Sequence, residues 1–515
     1  MEQSQLPAAT DRNGGAAAVS GQPRPSFAER CGRLSSDHQA TRERTVAALQ
    51  ASGVHSVRFG WCDAHGQLRG KTLMVEAAIR ALHDGIGMVS TLMLKDTGDR
   101  TAWPVFEPGA TLDIPGFAGA ANLMLLPDPS SFTVLPWSPG VGWMRCQPWF
   151  NDATPVHLDT RHVLQQALER LAASGHGLKT GLEVEFHIYR ITNTAPQLDP
   201  NRAAWPGDPP LVEMIHPGYN LHAEALTDMA HEPLDIVRRT AQALGLPLQS
   251  LEIELGPSQV EAVFDATDAL TAADHMVLFR NGVRQALRRE GYHASFMCRP
   301  PFPNVMSSGW HLHQSLSDLA TGRNAFMRET AETGSKPEAA HHSLSETGAQ
   351  WLAGLLTHAP AITALCTPTV NGYGRFQPNA LAPHSVCWGR DNRGAMLRVI
   401  GGAGDSNTRI ENRIGEPAAN PYLTMAVQIH AGLDGLNRAL QPPLACESPY
   451  GAGLEPVPTS LTAALDALRA DAVLNASLGK GFVSYFDRIK RNEIDRHAKA
   501  KNTHEFEYRE YFGRT

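Results

Sequence analysis

In the run Gly181-Leu-Glu-Val-Glu-Phe-His-Ile-Tyr189, two carboxylates, Glu183 and Glu185, alternate with Leu182, Val184, Phe186 and Ile188. Successive side chains of a strand point to opposite faces, so this spacing commits the apolar set to a core and both carboxylates to one surface. Like charges fixed that close repel, and they call for something positive between them. Divalent cations with oxygen ligands, and the phosphates such cations carry, fit that demand. An ordinary solvated strand face fits the same segment.

Three further segments repeat the alternation. In Leu251-Glu-Ile-Glu-Leu255, Glu252 and Glu254 alternate with aliphatics; Gly256-Pro257 then turns the chain into Gln259-Val-Glu261, so that Glu254 and Glu261 can face the same site. In Ser308-Gly-Trp-His-Leu-His-Gln-Ser315, His311, His313 and Ser315 share one face, opposite Trp310 and Leu312. A His-x-His pair alone also describes two surface imidazoles. With no cysteine ligands and no His-Glu-x-x-His helix, a carboxylate-rich set with an imidazole suits magnesium or manganese better than zinc. In Thr408-Arg-Ile-Glu-Asn-Arg413, Glu411 projects between Arg409 and Arg413, an arrangement suited to clamping phosphate and carboxylate beside a metal. A plain surface salt-bridge ladder would look the same and contribute only ~0.5 kcal/mol per pair. Arg375, Arg393 and Arg398 lie nearby in a stretch with few acids, where anionic ligands are expected.

Composition narrows the classes. Lys and Arg number 45 against 52 Asp and Glu, a formal charge of -7 that provides no general field for nucleic acid. Seven scattered cysteines without CxxC spacing fit a reduced, cytoplasmic compartment rather than a disulfide framework. No signal peptide or bilayer-length apolar run is evident, so no membrane association is expected. A chain of 515 residues is long enough for two domains. Residues 1–43, rich in Ala, Gly, Pro, Gln and Ser, are expected to form a disordered tail. A small mixed domain is expected over 44–145, with a hairpin turning at Asp63–Gly66. A larger domain, opening with a helix capped by Asp159, spans 146–515.

In this order the segments resemble the glutamine synthetase family. The residues that carry the resemblance are Gly181–Phe186, Glu254-Leu-Gly-Pro-Ser-Gln-Val-Glu261, Ser308–Ser315, Asn371-Gly-Tyr-Gly-Arg375, Asn392-Arg393, Arg409–Arg413 and Asn420-Pro-Tyr-Leu423. It implies an α+β fold, with a small N-terminal β-grasp domain and a large catalytic domain on a curved antiparallel sheet. It also implies a homo-oligomer, a dodecamer of two stacked rings, with active sites between subunits. Carried over residue by residue, Glu185, Glu254 and Glu261 bind one Mg2+ or Mn2+ and Glu183, His311 and Glu411 another, two to three ions per site. His313, Ser315, Arg398 and Arg409 approach ATP. Gly309, Arg375, Arg393 and Arg413 handle L-glutamate and the phosphoryl group, with Arg393, Arg413 and Glu411 acting in catalysis.

Departures from the pattern concern the acceptor. Where ammonia-using members carry a glutamate before Ala-Pro, this chain has Leu381 in Pro378-Asn-Ala-Leu-Ala-Pro383. Leucine can neither attract an ammonium ion nor take its proton. The aspartate that members supply to the ammonium pocket has only Asp96 as a substitute, and Met306 stands where an asparagine is usual. Tyr450, in a loop where some members are adenylylated, lacks that motif and reads as an ordinary loop tyrosine. A γ-glutamyl ligase for a small organic amine, aromatic or alkyl, is therefore expected. Polyamine or ethanolamine ligases, glutamine synthetase itself and a non-catalytic homologue are the alternatives, the last disfavoured because all six metal ligands are present.

Overall fold

In the computed structural model, the chain is described at residues 25–33, 35–193, 200–330, 334, 336–378 and 380–515. Strands β1 (Ser56–Cys62) and β2 (Leu68–Met74) form the expected hairpin. The Asp63 carboxylate closes its turn by accepting from the backbone N–H of His65 and Gln67 at 2.9 and 3.0 Å. With β3 (Ile86–Val89), β4 (Asn122–Pro127), β5 (Thr133–Val134) and β6 (Val141–Trp149) it makes a sheet of order β2-β1-β6-β4-β3, β5 lying on β6.

Two boundaries differ from the sequence reading. Strand β6 continues to Trp149, past the division placed at 145. Of the expected 1–43 tail, residues 1–24 lie outside the described residues, but the chain beyond them is helical at Phe27–Arg30 and Ser36–Ala51. The physical reason is local. Ser26 and Glu29 form a reciprocal capping box, and Phe27 and Ala28 are buried with Leu126 and Trp149, anchors that bulk composition conceals.

The large sheet contains β7 (His176–Asn193), β8 (Leu211–Met214), β9 (Leu248–Ile253), β10 (Gln259–Asp268), β11 (Tyr292–Ser295), β12 (Trp310–Asp318), β13 (Trp388–Arg390), β14 (Leu397–Ile400) and β15 (Arg409–Gly415). Its order is β13-β14-β15-β12-β7-β10-β9, with β8 and β11 also pairing with β7; among the described strands of this sheet, only β13 and β14 run parallel. The alternation in β7 works as expected: Leu182, Val184, Phe186 and Ile188 are at most 3% exposed. Phe186 stacks on Phe296 and meets Phe279 edge-on, fixing helix Ala269–Arg289 against the sheet. Burying each such side chain contributes roughly 1.5–3 kcal/mol. Helix Thr160–Ala173 is capped by Asp159 and helix Pro421–Asn437 by Asn420, with Pro421 at its first position. Among the described residues, no helix is long and apolar enough to cross a membrane.

A buried imidazole ties the helical layer together. His358, between helices Glu346–Thr357 and Ala359–Cys366, meets Asp471 at 2.6 Å and Asp434 at 3.0 Å. Burial lowers its pKa, but the two carboxylates outweigh that and raise it above 6.5. A raised histidine pKa stabilises the fold fully below the unfolded value, and that stabilisation is lost as pH rises through the folded value. His358→Gln is thus expected to cost about 2 kcal/mol below pH 6.5 and less in alkali. Urea denaturation of both proteins across that range checks this.

Candidate active site

Strand register gathers the separate segments. Glu185 on β7 lies opposite Glu261 on β10, and Glu183 lies opposite His311 on β12. His313 lies opposite Glu411 on β15, which in turn lies opposite Arg398 on β14, while Glu252 on β9 lies opposite Glu261. A period of two then puts these side chains on the face away from the Leu182-Val184-Phe186 core.

Of these, Glu183, Glu185, Glu252, Glu261, His311 and Arg398 line a cleft of about 460 Å3, whose acidic wall also includes Glu254. His311 Nδ1 stands 3.3 Å from Glu183, 3.9 Å from Glu261 and 3.8 Å from Glu411, and its Nε2 is 3.7 Å from Glu185. His313 Nε2 contacts Glu183 at 2.9 Å. Arg375, Arg393, Arg398 and Arg413 line the same cleft. Glu411 is fully buried between Arg398, at 2.9 Å, and Arg413. Arg375 is pinned by the carbonyls of Arg413 and Gly415 at 2.8 and 3.2 Å, leaving Nη2 3.5 Å from His311.

Electrostatics divide the cluster into two parts. Burial raises the pKa of Glu411, but His311, Arg413 and His313 outweigh it and hold the carboxyl at about 2. Glu183 is likewise pulled well down despite burial, by hydrogen bonds from both histidines. Glu261 goes the other way: burial, then repulsion from Glu185, Glu183 and Glu254, pushes it up to about 10. Glu185 and Glu254 are also raised, by burial first. Three carboxylates raised together, with Arg375 beside Glu185 and Arg413 beside Glu254 failing to offset their burial, are a built demand for a bound cation. Oxygen donors with an imidazole fit magnesium or manganese. Ligand atoms of Glu183, Glu261 and His311 lie within 4.8 Å of one another, as do those of Glu183, His313 and Glu411. Glu183 is common to both groups, and His313 stands beside the carboxylates.

Other expected residues are placed less centrally. Arg409 reaches the cluster only through His313, donating to its Nδ1 at 3.0 Å. Ser315, further along β12, is half-buried and outside the cleft lining. Gly309 presents its backbone N–H to Glu185 at 2.8 Å. A Cβ there would fall 2.4 Å from Arg375 Nη2, so Gly309→Ala is expected to displace that pinned guanidinium. We expect a roughly hundredfold loss in kcat/KM at a stability cost of about 1–2 kcal/mol, measurable by steady-state kinetics and thermal melting.

Asp96 does not come to the cleft. It is fully buried, and its carboxylate accepts from Asn492 at 2.6 Å, Arg496 at 2.7 Å and the Arg100 N–H at 2.8 Å. Leu381 lines the cleft with backbone φ of +52°, its carbonyl held by Arg413 at 3.1 Å. Next to it, the Ala382 carbonyl accepts from the Tyr450 hydroxyl at 3.1 Å, so Tyr450 braces this loop. Sequence reasoning also missed Gln259, which donates to Glu185 at 3.0 Å and Ser308 at 3.1 Å. Its signal was present, since 259 and 261 share a face. Leu221 and His222, on a loop before helix Glu224–Met229, line the cleft with no strand pattern to announce them.

A family model described as glutamine synthetase, catalytic domain, matches residues 157–511. A gamma-glutamylanilide synthase of an Acinetobacter species is 36% identical over 487 residues, covering 91% of this chain and 95% of that protein. A glutamine synthetase of Methanocaldococcus jannaschii is 31% identical, covering 88% of this chain and 94% of its own. A gamma-glutamylethanolamide synthetase of Streptomyces coelicolor is 29% identical, again covering 88% and 94%. Among solved structures, a GmaS/ADP complex superposes with a TM-score of 0.71 at 27% identity, covering 89% of this chain and 97% of that one.

Proposed function

The chain belongs to the glutamine synthetase family, and we propose that it joins the γ-carboxylate of L-glutamate to an aromatic or alkyl primary amine, with ATP as phosphoryl donor. The observation that carries the acceptor reading is the cleft wall at Leu381. An aliphatic side chain faces the cleft where ammonia-using members place an acid, and Asp96 is consumed by Arg496 and Asn492. At that point of the wall the side chain neither attracts an ammonium ion nor takes its proton. It favours an apolar amine, and anilines arrive unprotonated at neutral pH. The gamma-glutamylanilide synthase relative supports the same direction.

Chemically, an oxygen of the γ-carboxylate attacks the terminal phosphorus of ATP, and ADP departs. The amine nitrogen then attacks the acyl phosphate carbon, and phosphate departs. Arg375, Arg393 and Arg413, all in the cleft lining, orient the glutamate carboxylates and spread charge over the transferring phosphoryl group. Arg398, with His313, Arg409 and Ser315 on the neighbouring strands, approaches the nucleotide. Glu411 holds Arg398 and Arg413 in register with each other. Divalent ions carried by Glu183, Glu185, Glu254, Glu261, His311 and Glu411 would supply electrophilic stabilisation of the phosphates. The ring assembly with sites between subunits belongs to this proposal too.

The test is glutamate-dependent ADP release with a panel containing ammonia, ethanolamine, a polyamine, short alkylamines and aniline, with amide product identified by mass. Aniline or an alkylamine is expected to give the highest kcat/KM. Ammonia outrunning every organic amine would overturn the acceptor reading.

A further inference from the structure

The loss of an acid at 381 leaves the amine's proton without an obvious destination. Of the titratable side chains that line the cleft, Glu183, Glu185, Glu254, Glu261 and His311 belong to the metal-side cluster, and the arginines are permanently charged. Among the described residues of the lining, His222 and Glu252 are left. They are paired: His222 Nε2 lies 3.2 Å from Glu252 Oε2. The other oxygen of Glu252 accepts from the Ser250 hydroxyl at 2.7 Å, which fixes the carboxylate. The His222 backbone is fixed too, since its N–H donates to the Ile253 carbonyl at 3.2 Å on the strand that carries Glu252. Its φ of +56° is left-handed, a conformation that a non-glycine residue rarely holds without a constraint.

We propose that His222 is the general base of the amide-forming step and that Glu252 is its positioning residue. With Nε2–H directed to Glu252, Nδ1 bears the free lone pair, in the manner of an imidazole oriented by a carboxylate. His222 is exposed at the cleft, where an amine entering from solvent passes it. In the step, the amine lone pair forms the C–N bond at the γ-carbonyl carbon. The C–O bond to phosphate breaks, and phosphate leaves with that electron pair. The extra proton on nitrogen passes to His222 Nδ1, giving the neutral amide and an imidazolium that returns the proton to water or phosphate. Alkylamines, protonated at neutral pH, need this base more than anilines do.

This inference rests on the ligase reading above, and the experiment separates the two. Wild-type enzyme, His222→Gln and Glu252→Gln are assayed for amide formed and for ADP released, with ethylamine and with aniline. For His222→Gln, amide synthesis with ethylamine is expected to fall about 10²–10³-fold, and with aniline about tenfold. The amide-to-ADP ratio falls as well, because acyl phosphate still forms but is lost to water. Added imidazole restores amide synthesis in His222→Gln, and Glu252→Gln shows a smaller loss in kcat with KM for the amine little changed. Amide synthesis at the wild-type rate in His222→Gln overturns the assignment. So does a parallel fall of amide and ADP without imidazole rescue, which would make His222 part of the cleft wall only. A wild-type enzyme that makes no γ-glutamyl amide with any amine defeats the ligase reading itself.

Discussion

A Glu261→Gln enzyme is expected to lose about three orders of magnitude or more in kcat/KM while its metal-free form melts higher than the wild type. Both effects come from one cause. Burial and the surrounding Glu185, Glu183 and Glu254 push the Glu261 carboxyl up to about 10 in the absence of a cation. The folded chain therefore holds a proton that the unfolded chain releases between 4.5 and about 10, and metal-free stability falls as pH rises through that window. Glutamine abolishes that dependence and fills the same space, so the variant gains roughly 2 °C in metal-free melting near pH 9 and less near pH 6. Saturating Mg2+ reverses the order, because only the wild type has the full ligand set. Glu411→Gln is the control with opposite sign. It removes the charge that pairs the buried Arg398 and Arg413 and is expected to cost about 3 kcal/mol already in the metal-free protein, where Glu261→Gln gains stability. Scanning calorimetry of the three proteins, with and without Mg2+, decides. If Glu261→Gln destabilises the metal-free protein as Glu411→Gln does, the cluster is not the unbalanced cation site described above.

How much of this was legible in the sequence follows from what periodicity encodes. A two-residue alternation specifies which side chains share a face, so β7, β12 and β15 could be read directly, and with them Glu183, Glu185, His311 and Glu411. Register is a property of pairs of strands. Only the fold shows that Glu183 stands between His311 and His313 and is shared by two ligand groups. Residues placed by loops carry no period at all. His222 is held by a backbone bond to Ile253 and a carboxylate thirty residues away in sequence, and neither leaves a local mark. Asp96 shows the converse failure. An acid in a short polar turn resembles a pocket residue until helix Lys480–Ala498 brings Asn492 and Arg496 onto it. The order of Phe27–Arg30 was hidden differently: one capping box and two buried side chains are too short a signal to survive averaging over a Gly- and Pro-rich stretch.

Leu381→Glu is expected to move the enzyme's preference toward ammonia, raising its kcat/KM about a hundredfold and lowering that for aniline about tenfold. The substitution is conservative in everything but chemistry. Leucine and glutamate are both unbranched at Cβ, so the left-handed backbone at +52° is no harder for one than for the other. The loop is held through main-chain carbonyls, by Arg413 at residue 381 and Tyr450 at residue 382, and both contacts survive a side-chain change. What changes is the cleft wall: a carboxylate attracts ammonium and can take its proton, and it must be desolvated for an aryl ring to pack there. A gain for ammonia without a loss for aniline would mean that the ring packs elsewhere on the wall, where Leu221, Leu255, Val263, Met306 and Ala380 supply the other apolar lining. The combination with His222→Gln is more telling still. A carboxylate at 381 supplies a second proton acceptor, so the double variant should recover amide synthesis that the single His222→Gln variant loses, and that recovery should be larger for ammonia and ethylamine than for aniline. If Leu381→Glu leaves the ammonia-to-aniline ratio unchanged, acceptor choice does not reside in this loop and the apolar-amine reading loses its main support.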